Sequence, residues 1–253
     1  MSFIERDGVK VFYEAHGEGR AVLLSHGYSA TAEMWRRQVK DLSPEHRVIV
    51  WDMRGHGQSD SPDDPGAYSE EETVGDMAAI LDACGADKAV IGGLSLGGYM
   101  SLAFQLVHPE RTAALMLFDT GPGYRKDEAR AQWNDMALKR AETLEARGLD
   151  ALGRGAEVRI STHRSAQGLA HAARGMLAQR DARVIDSLPS IDMPTLVLVG
   201  ENDTGFLAGS DYMANKIPGA TKVVIAGAGH AANIDKPAEF TAAVREFLDP
   251  LDW

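Results

Sequence analysis

Ser95 lies at the centre of the pentapeptide Gly93-Leu94-Ser95-Leu96-Gly97, a pattern that can supply a nucleophile. Residues 88–91 before it are typical of a short buried strand, and residues 98–104 after it are typical of a helix. A serine on a tight turn between a strand and a helix exposes its hydroxyl at the end of a sheet. Glycines two residues away on either side remove the Cβ atoms that would clash across such a turn. The sequence therefore predicts nucleophilic catalysis by Ser95.

A serine hydroxyl is a weak nucleophile without a base, and a histidine and a carboxylate follow Ser95 in the order that this chemistry uses. The histidine takes the proton of the serine, and the carboxylate fixes the tautomer of the histidine and stabilises its charged form. Asp203 comes shortly after the apolar run at residues 195–199, and His230 comes after the apolar run at residues 222–225. We assign Asp203 as the acid and His230 as the base.

Two other carboxylates compete with Asp203 for the role of the acid. Glu201 lies two residues earlier in the same predicted loop, and Asp119 ends an earlier predicted strand. Both come after the serine and before the histidine along the chain, as the acid does in this arrangement. If Asp203 is the acid, we expect Asp119 to support its own local turn.

Two backbone N–H groups are candidates for an oxyanion hole. Attack on a carbonyl carbon creates an oxyanion, and donors must be aimed at it. The residue after the nucleophile supplies one backbone N–H, which is here that of Leu96. We assign the second donor to the N–H of Tyr28, in the glycine-containing loop after the third predicted strand. Because only the backbone acts, the tyrosine side chain is free to line a pocket.

Strands and helices alternate along the chain and must position these residues. Asp7-Gly8 predicts a hairpin turn between two short strands within residues 3–15. Ser69 and Glu72 form a capping box at the start of one helix. Apolar runs that suit strands buried on both faces recur at 21–24, 48–51, 88–91, 113–118, 195–199 and 222–225. The pattern predicts an α/β protein with a mainly parallel, eight-stranded sheet and helices on both faces.

Residues 122–190 interrupt this alternation, since they contain no apolar run of the strand type. Residues 125–147 and 167–180 are compatible with helices. We therefore expect a core formed by residues 1–121 and 191–253, with residues 122–190 inserted as a helical cap.

The predicted cap differs in charge from the rest of the chain. Residues 122–190 contain 12 basic and 9 acidic residues, a formal charge of +3 against −14 elsewhere. This charge is either incidental to a solvated helical surface or a means of attracting a substrate that bears a carboxylate. Trp133, Met136 and Leu138 are spaced so that they cannot share one helical face, and at least one should point toward the core or a pocket.

We do not assign catalytic roles to the histidines of the loops and the predicted cap. His26 and His56 lie beside glycines in loops, where we expect them to hold the backbone by hydrogen bonds. His163 and His171 lie in the predicted cap, where they either touch substrate or lie at the surface, and we favour surface positions for both. No histidines and carboxylates show the spacing of a metal site, so the sequence predicts neither a metal nor a cofactor.

Composition excludes several classes of protein. A formal charge of −11 argues against a nucleic-acid partner, and the single Cys84 excludes an internal disulfide. No segment approaches the roughly 20 apolar residues that span a bilayer, and the N-terminus lacks the apolar region of a signal peptide. We expect a cytoplasmic protein that acts on a small molecule, with no membrane partner, and homo-oligomer formation stays open.

Taken in order, the motifs resemble those of α/β-hydrolases with a helical cap. The matching segments are His26-Gly27, Asp52-Met53-Arg54-Gly55-His56-Gly57-Gln58-Ser59-Asp60, Gly93-Leu94-Ser95-Leu96-Gly97-Gly98, Gly200-Glu201-Asn202-Asp203, Gly229-His230 and Asp235-Lys236-Pro237. Within that family the chain is most similar to small carboxylesterases and enol-lactonases. The resemblance implies cofactor-free cleavage of an ester or a lactone through an acyl-enzyme.

The resemblance leaves an alternative reaction open. The same site would suit a carbon–carbon bond hydrolase acting on a β-diketone-like or dienol acid. The chain also departs from the family pattern, because members often carry a proline soon after the acid, where this chain has Thr204-Gly205-Phe206.

Overall fold

The computed structural model of the protein describes residues 2–252, which form a single eight-stranded sheet with flanking helices. The strands lie in the order β1-β2-β4-β3-β5-β6-β7-β8 across the sheet. Their bounds are β1 Ser2–Arg6, β2 Val9–His16, β3 Ala21–Ser25, β4 Arg47–Trp51, β5 Ala89–Leu94, β6 Thr112–Phe118, β7 Thr195–Gly200 and β8 Thr221–Ile225. The prediction of a mainly parallel, eight-stranded sheet is confirmed.

The first two strands form the hairpin that Asp7-Gly8 predicts, and β2 continues antiparallel to β4. The five remaining pairs of neighbours, from β4 to β8, are parallel. Parallel strands bring their carboxyl ends to one edge of the sheet, which is where open α/β sheets bind ligands. The loops after β3, β5, β6, β7 and β8 therefore converge there.

Both faces of the central strands are buried, as their continuous apolar runs predict. In β3, Leu23 packs into the core on one face, whereas Val22 and Leu24 pack into the core on the other. In β5, Ile91 and Val90 divide in the same way. This alternation follows from the two-residue period of a strand.

Within the described residues 2–252, ten α-helices cover the sheet or lie in its connections. Ser69 Oγ accepts a hydrogen bond from the N–H of Glu72 at 3.0 Å, so the predicted cap of one helix is present. None of the helices within residues 2–252 has the length and apolar character required to cross a membrane. Their bounds are α1 Arg36–Leu42, α2 Glu70–Ala83, α3 Leu96–Val107, α4 Asp127–Arg147, α5 Ala156–Arg159, α6 Ala166–Ala172, α7 Arg183–Ser187, α8 Leu207–Lys216, α9 Ala232–Asp235 and α10 Pro237–Leu248.

The chain between β6 and β7 contains helices α4 to α7, and we call residues 122–190 the insertion. The single helix expected over residues 167–180 is wrong in detail, because α6 ends at Ala172 and a π-helical turn spans Ala173–Leu177. A Cβ atom on Gly175 in that turn would lie 1.7 Å from the carbonyl oxygen of Tyr68. The backbone of the turn therefore packs closely against the loop that precedes α2. The short helices α5 and α7 were not predicted, since four or five residues show no periodicity.

The segment from Asp52 to Asp60 is fixed by buried polar contacts. The guanidinium of Arg54 donates to both carboxylate oxygens of Asp76, at 2.7 and 2.8 Å, and both side chains are buried. The carboxylate of Asp52 accepts hydrogen bonds from the N–H groups of Ala32, at 2.7 Å, and Gln58, at 2.8 Å. Burial still raises the pKa of Asp52 to about 6. These contacts hold the loop after β4 at the carboxyl edge of the sheet.

Candidate active site

Ser95 occupies a strained turn between β5 and α3. Its φ is 55° and its ψ is −115°, in a region that L-residues other than glycine rarely adopt. A Cβ atom on Gly93 would lie 2.4 Å from the backbone of Gly97, and one on Gly97 would lie 2.3 Å from the carbonyl oxygen of Ser25. The two glycines of the motif are therefore required for the chain to turn this tightly.

Hydrogen bonds hold this turn in place on both sides. The N–H of Ser95 donates to the carbonyl of Phe118 in β6 at 2.9 Å. The hydroxyl of Thr120 donates to the carbonyl of Ser95 at 2.6 Å. The backbone of Ser95 is thus tied to the end of the neighbouring strand, and its side chain faces a cavity.

Asp203 and His230 form a hydrogen-bonded pair at the same edge of the sheet. Asp203 lies in the turn after β7, and His230 lies in the loop after β8. His230 Nδ1 is 2.8 Å from Asp203 Oδ2, and the Asp203 side chain is 9% exposed while that of His230 is 34% exposed. Burial lowers the pKa of His230, but the hydrogen bond and charge of Asp203, together with the charges of Asp119 and Glu157, outweigh it, so its pKa is raised overall.

The two alternative carboxylates have different partners. Asp119 has a φ of 45° after β6, and its Oδ1 accepts a hydrogen bond from the N–H of Gly200 at 2.7 Å. Burial raises the pKa of Asp119 to about 8. Glu201 Oε2 accepts a hydrogen bond from the N–H of Gly227 at 2.8 Å. Glu201 thus supports the loop after β8, and Asp119 binds the end of β7 rather than its own local turn as expected. Of these three described carboxylates, only Asp203 has a hydrogen bond to the histidine.

Phe206 connects the histidine to the cavity that contains Ser95. Its ring stacks on that of His230, with centroids 5.0 Å apart and planes inclined by 25°. Phe206 and Ser95 line the same cavity. Within residues 2–252 no hydrogen bond joins Ser95 directly to His230. Hydrogen bonds between a nucleophile and its base often tighten only when substrate is bound. Phe206 was not predicted as a site residue, and its only signal in the sequence is its place where the family often has proline.

The cavity beside Ser95 has a volume of about 210 Å³ and is lined on one side by the insertion. Trp133 and Leu177 contribute apolar walls, and the indole of Trp133 donates to the carbonyl of Leu177 at 2.8 Å. Trp133 thus satisfies the expectation of an inward-facing residue, while Leu138 is exposed. The residues that line this cavity carry no formal charge.

The segments that carry the two predicted oxyanion donors adjoin Ser95. Leu96 begins α3, where the first N–H groups of a helix have no partner within the helix. Gly27, directly before Tyr28, lies against Ser95, because a Cβ atom placed on it would be 3.5 Å from Ser95 Cβ. The Tyr28 side chain does not line the cavity of Ser95 and instead donates to the carbonyl of Leu169 at 2.8 Å.

The histidines of the insertion are not where the sequence predicted them. His163 and His171 are 8% and 9% exposed, so the expectation of surface positions is wrong. His163 is buried because it packs against the loops around Ser29 and Gly57. Both loops are more than 100 residues away from His163 along the chain. His26 holds loop backbone as predicted: its Nδ1 hydrogen-bonds the carbonyl of Gly27 at 2.7 Å.

Five of the twelve basic residues in the insertion form salt bridges with carboxylates of the described residues. Salt bridges link Arg125 to Asp186, Arg130 to Asp127, Arg174 to Glu145, Arg180 to Glu71 and Arg183 to Asp181. Lys139 and Arg140 have no carboxylate within 4.0 Å among the described residues. Both line an open groove beside Tyr28, and the Arg140 guanidinium lies 5.9 Å from the centre of the Tyr28 ring.

This geometry agrees with comparisons to known proteins. The profile of the family described as alpha/beta hydrolase fold matches residues 20–166. The chain belongs to the α/β-hydrolase family. It is similar to a structure of a thermophilic esterase from Thermogutta terrifontis with malate bound, with 31% identity, 98% of each chain covered and a TM-score of 0.82.

Two α/β-hydrolases with other names are similar over nearly the whole chain. One is 3-oxoadipate enol-lactonase 1 from Acinetobacter baylyi, which is 29% identical over 90% of this chain and 88% of its own. Another, from Bacillus subtilis, bears the name 2-succinyl-6-hydroxy-2,4-cyclohexadiene-1-carboxylate synthase and is 28% identical over 96% of each. The names of these similar proteins indicate that the present α/β-hydrolase is a hydrolytic enzyme that acts on small molecules.

Proposed function

We propose that this α/β-hydrolase cleaves carboxylic esters or lactones of small molecules through Ser95, His230 and Asp203. The observation that supports this most directly is the 2.8 Å hydrogen bond between Asp203 and His230 at the edge where Ser95 occupies its strained turn. The carboxylate fixes the Nδ1–H tautomer of the imidazole, which leaves Nε2 free to act as the base.

In the first half of the reaction, Ser95 Oγ attacks the carbonyl carbon while His230 Nε2 takes its proton. The oxyanion that forms is stabilised by the backbone N–H groups of Tyr28 and Leu96. The tetrahedral intermediate collapses, and the imidazolium gives its proton to the leaving alcohol. An acyl group then remains on Ser95.

In the second half, water attacks the acyl-enzyme. His230 takes a proton from the water, and the same oxyanion hole stabilises the second intermediate. Its collapse releases the carboxylic acid and returns the proton to Ser95 Oγ. With a lactone the alcohol and the acid are parts of one product, so the leaving group stays attached until this step.

We also propose that residues 122–190 act as a cap that shapes the substrate site, on a core of residues 1–121 and 191–253. Trp133, Leu177 and Gln179 from the insertion line the cavity of Ser95, which supports this division. The small, uncharged cavity suits a compact apolar group on one side of the scissile bond. The esterase and lactonase names of similar proteins agree with that substrate class.

Replacement of the nucleophile tests the proposed reaction. Ser95→Ala should keep the fold and lower kcat toward a p-nitrophenyl ester and a small lactone by at least ~10³-fold. The wild-type protein should also gain one covalent adduct from a fluorophosphonate, seen by intact mass, and Ser95→Ala should not. The exposed Ser190, whose hydroxyl donates to Ser187, provides a matched Ser→Ala control. Retained activity or labelling in Ser95→Ala would refute the serine mechanism.

The choice of substrates in that assay separates the alternatives. A panel should contain esters, lactones and an acyl ring-cleavage product with a carbon–carbon bond to break. Preferential turnover of the last substrate would replace ester cleavage by carbon–carbon hydrolysis at the same serine.

A further inference from the structure

The loop that carries Tyr28 is a strained turn. The N–H of Ala30 donates to the carbonyl of Gly27 at 3.1 Å, which closes a four-residue β-turn. Ser29, the third residue of this turn, has a φ of 57°. A positive φ at that position is typical of type II turns and normally selects glycine. A serine there needs support from its surroundings.

Two histidines supply this support by holding both backbone polar groups of Ser29. Its N–H donates to His56 Nε2 at 3.2 Å. Its carbonyl lies 3.0 Å from His163 Nε2 and accepts a hydrogen bond from it. His56 belongs to the core, whereas His163 belongs to the insertion. The turn is therefore fixed from two sides by distant parts of the chain.

The second nitrogen of each ring is also used, which settles the tautomers. His56 Nδ1 lies 3.1 Å from the carbonyl of Arg54 and donates to it. His163 Nδ1 accepts a hydrogen bond from the N–H of Gly57 at 3.3 Å. Both rings are thus neutral, with the proton of His163 on Nε2. Burial favours this state, because it lowers the pKa of both histidines.

The insertion contacts the same turn a second time. The hydroxyl of Tyr28 donates to the carbonyl of Leu169 at 2.8 Å. The Tyr28 ring lies edge-on to His56, with centroids 5.6 Å apart, and His56 lies edge-on to His163 at 5.7 Å. Tyr28 and Ser29 are consequently packed between the core and the insertion.

We propose that His163 is a positioning residue that couples the insertion to the oxyanion hole, an inference that rests on the proposed function. It acts through Ser29: by holding the carbonyl of Ser29, it keeps the turn in the conformation that directs the Tyr28 N–H toward the carbonyl oxygen of the substrate. The contribution is to the transition state, where the oxyanion carries the most charge.

The variant His163→Ala removes both hydrogen bonds, to Ser29 and to Gly57. We expect kcat toward a p-nitrophenyl ester to fall about 10- to 100-fold, which is less than the loss of a whole oxyanion donor. We expect KM to change by less than about threefold, because ground-state binding needs the oxyanion hole little. His163→Gln should recover most of kcat, since one amide offers both a donor and an acceptor.

A pair of inhibitors separates positioning from a general structural role. A trifluoromethyl ketone forms an oxyanion on Ser95, whereas the corresponding secondary alcohol binds without forming one. In His163→Ala the inhibition constant of the ketone should rise in parallel with the loss of kcat/KM, and that of the alcohol should stay within about twofold of wild type. Equal weakening of both inhibitors would overturn the proposal, as would an unchanged kcat.

His171→Ala is the matched control, because His171 is equally buried in the insertion but contacts Tyr68 and Gln167 rather than the turn. The variant His171→Ala should change neither kcat/KM nor the inhibition constant of either inhibitor. If His163→Ala does not fold, His163→Met fills the same space without hydrogen bonds, and the same comparison with His163→Gln applies. A wild-type protein that cleaves no ester would refute the proposed function, whereas an active wild type with an unaffected His163→Met would refute only the coupling.

Discussion

The ring of Phe206 covers one face of the His230 imidazole, with centroids 5.0 Å apart and an interplanar angle of 25°. Phe206 also lines the cavity beside Ser95. One side chain therefore touches both the base and the space for substrate. This contact limits rotation of the imidazole about its bond to Cβ, a rotation that Asp203 also restricts through one hydrogen bond.

Phe206→Ala should lower kcat about two- to tenfold, because an aromatic contact of this kind contributes about 0.5–1.5 kcal/mol. Steady-state kinetics with a p-nitrophenyl ester would measure the effect. Phe206→Tyr keeps the ring and is the control, with kcat expected near that of wild type. Identical kcat values for Phe206→Ala and wild type would show that the stacking does not orient the base.

The two buried aspartates should differ sharply when each is replaced by asparagine. Asp203→Asn should reduce kcat about 10²- to 10⁴-fold, because the amide favours the wrong tautomer of His230. Asp119→Asn should cost far less, since a carboxyl with a pKa of about 8 is largely neutral at pH 7 and an amide oxygen can still accept from Gly200. Kinetics at pH 7.5, with melting temperatures of both variants, would test the ranking. The reverse order would assign the acid to Asp119.

The pH dependence of kcat/KM should report the raised pKa of His230. Only the neutral imidazole can take the proton of Ser95, so activity falls as the pH falls through that pKa. Burial opposes protonation, but Asp203 and the nearby carboxylates outweigh it, so the midpoint of the acidic limb should lie above the ordinary value of about 6.5. A profile from pH 5 to 9 would locate it.

The variant Asp203→Asn provides the internal check on that assignment. Removal of the Asp203 carboxylate takes away the largest influences that raise the pKa of His230, so burial, which lowers this pKa, is opposed only by the smaller effects of Asp119 and Glu157. The residual activity should therefore show an acidic limb displaced to lower pH. A limb that stays in place would mean that another group controls it.

Lys139 and Arg140 are the cationic groups of the insertion from which we expect substrate selectivity. They lack carboxylate partners among the described residues and lie beside Tyr28. An ester with a free carboxylate should have a kcat/KM about three- to tenfold above that of its neutral isostere at low salt. The preference should weaken as salt rises, because the screening length is about 8 Å at physiological ionic strength.

A double variant locates this preference. Lys139→Gln with Arg140→Gln should abolish it, while Lys126→Gln, which removes a charge elsewhere on the insertion, should retain it. Equal rates for the two esters with the wild-type protein at low salt would mean that the positive charge of the insertion is incidental to its surface.

The sequence by itself determined the features that depend on neighbouring residues. Gly93 and Gly97 mark the strained turn at Ser95 in the sequence, because a Cβ atom on Gly93 would clash with the backbone of Gly97 four residues later. The continuous apolar runs specified the strands from β3 to β8, and Ser69 specified the start of α2. The order of Ser95, Asp203 and His230 along the chain indicated which loops to compare.

Only the tertiary structure decided the questions that depend on distance between separate elements. Asp203 and Asp119 both follow strands, and the position of His230 in space gives the hydrogen bond to one of them. The burial of His163 depends on Ser29, which lies 134 positions away in the chain, so no local sequence pattern predicts it. Side-chain contacts of this range arise from packing of whole elements, whereas turns and caps are specified within a few residues of the chain.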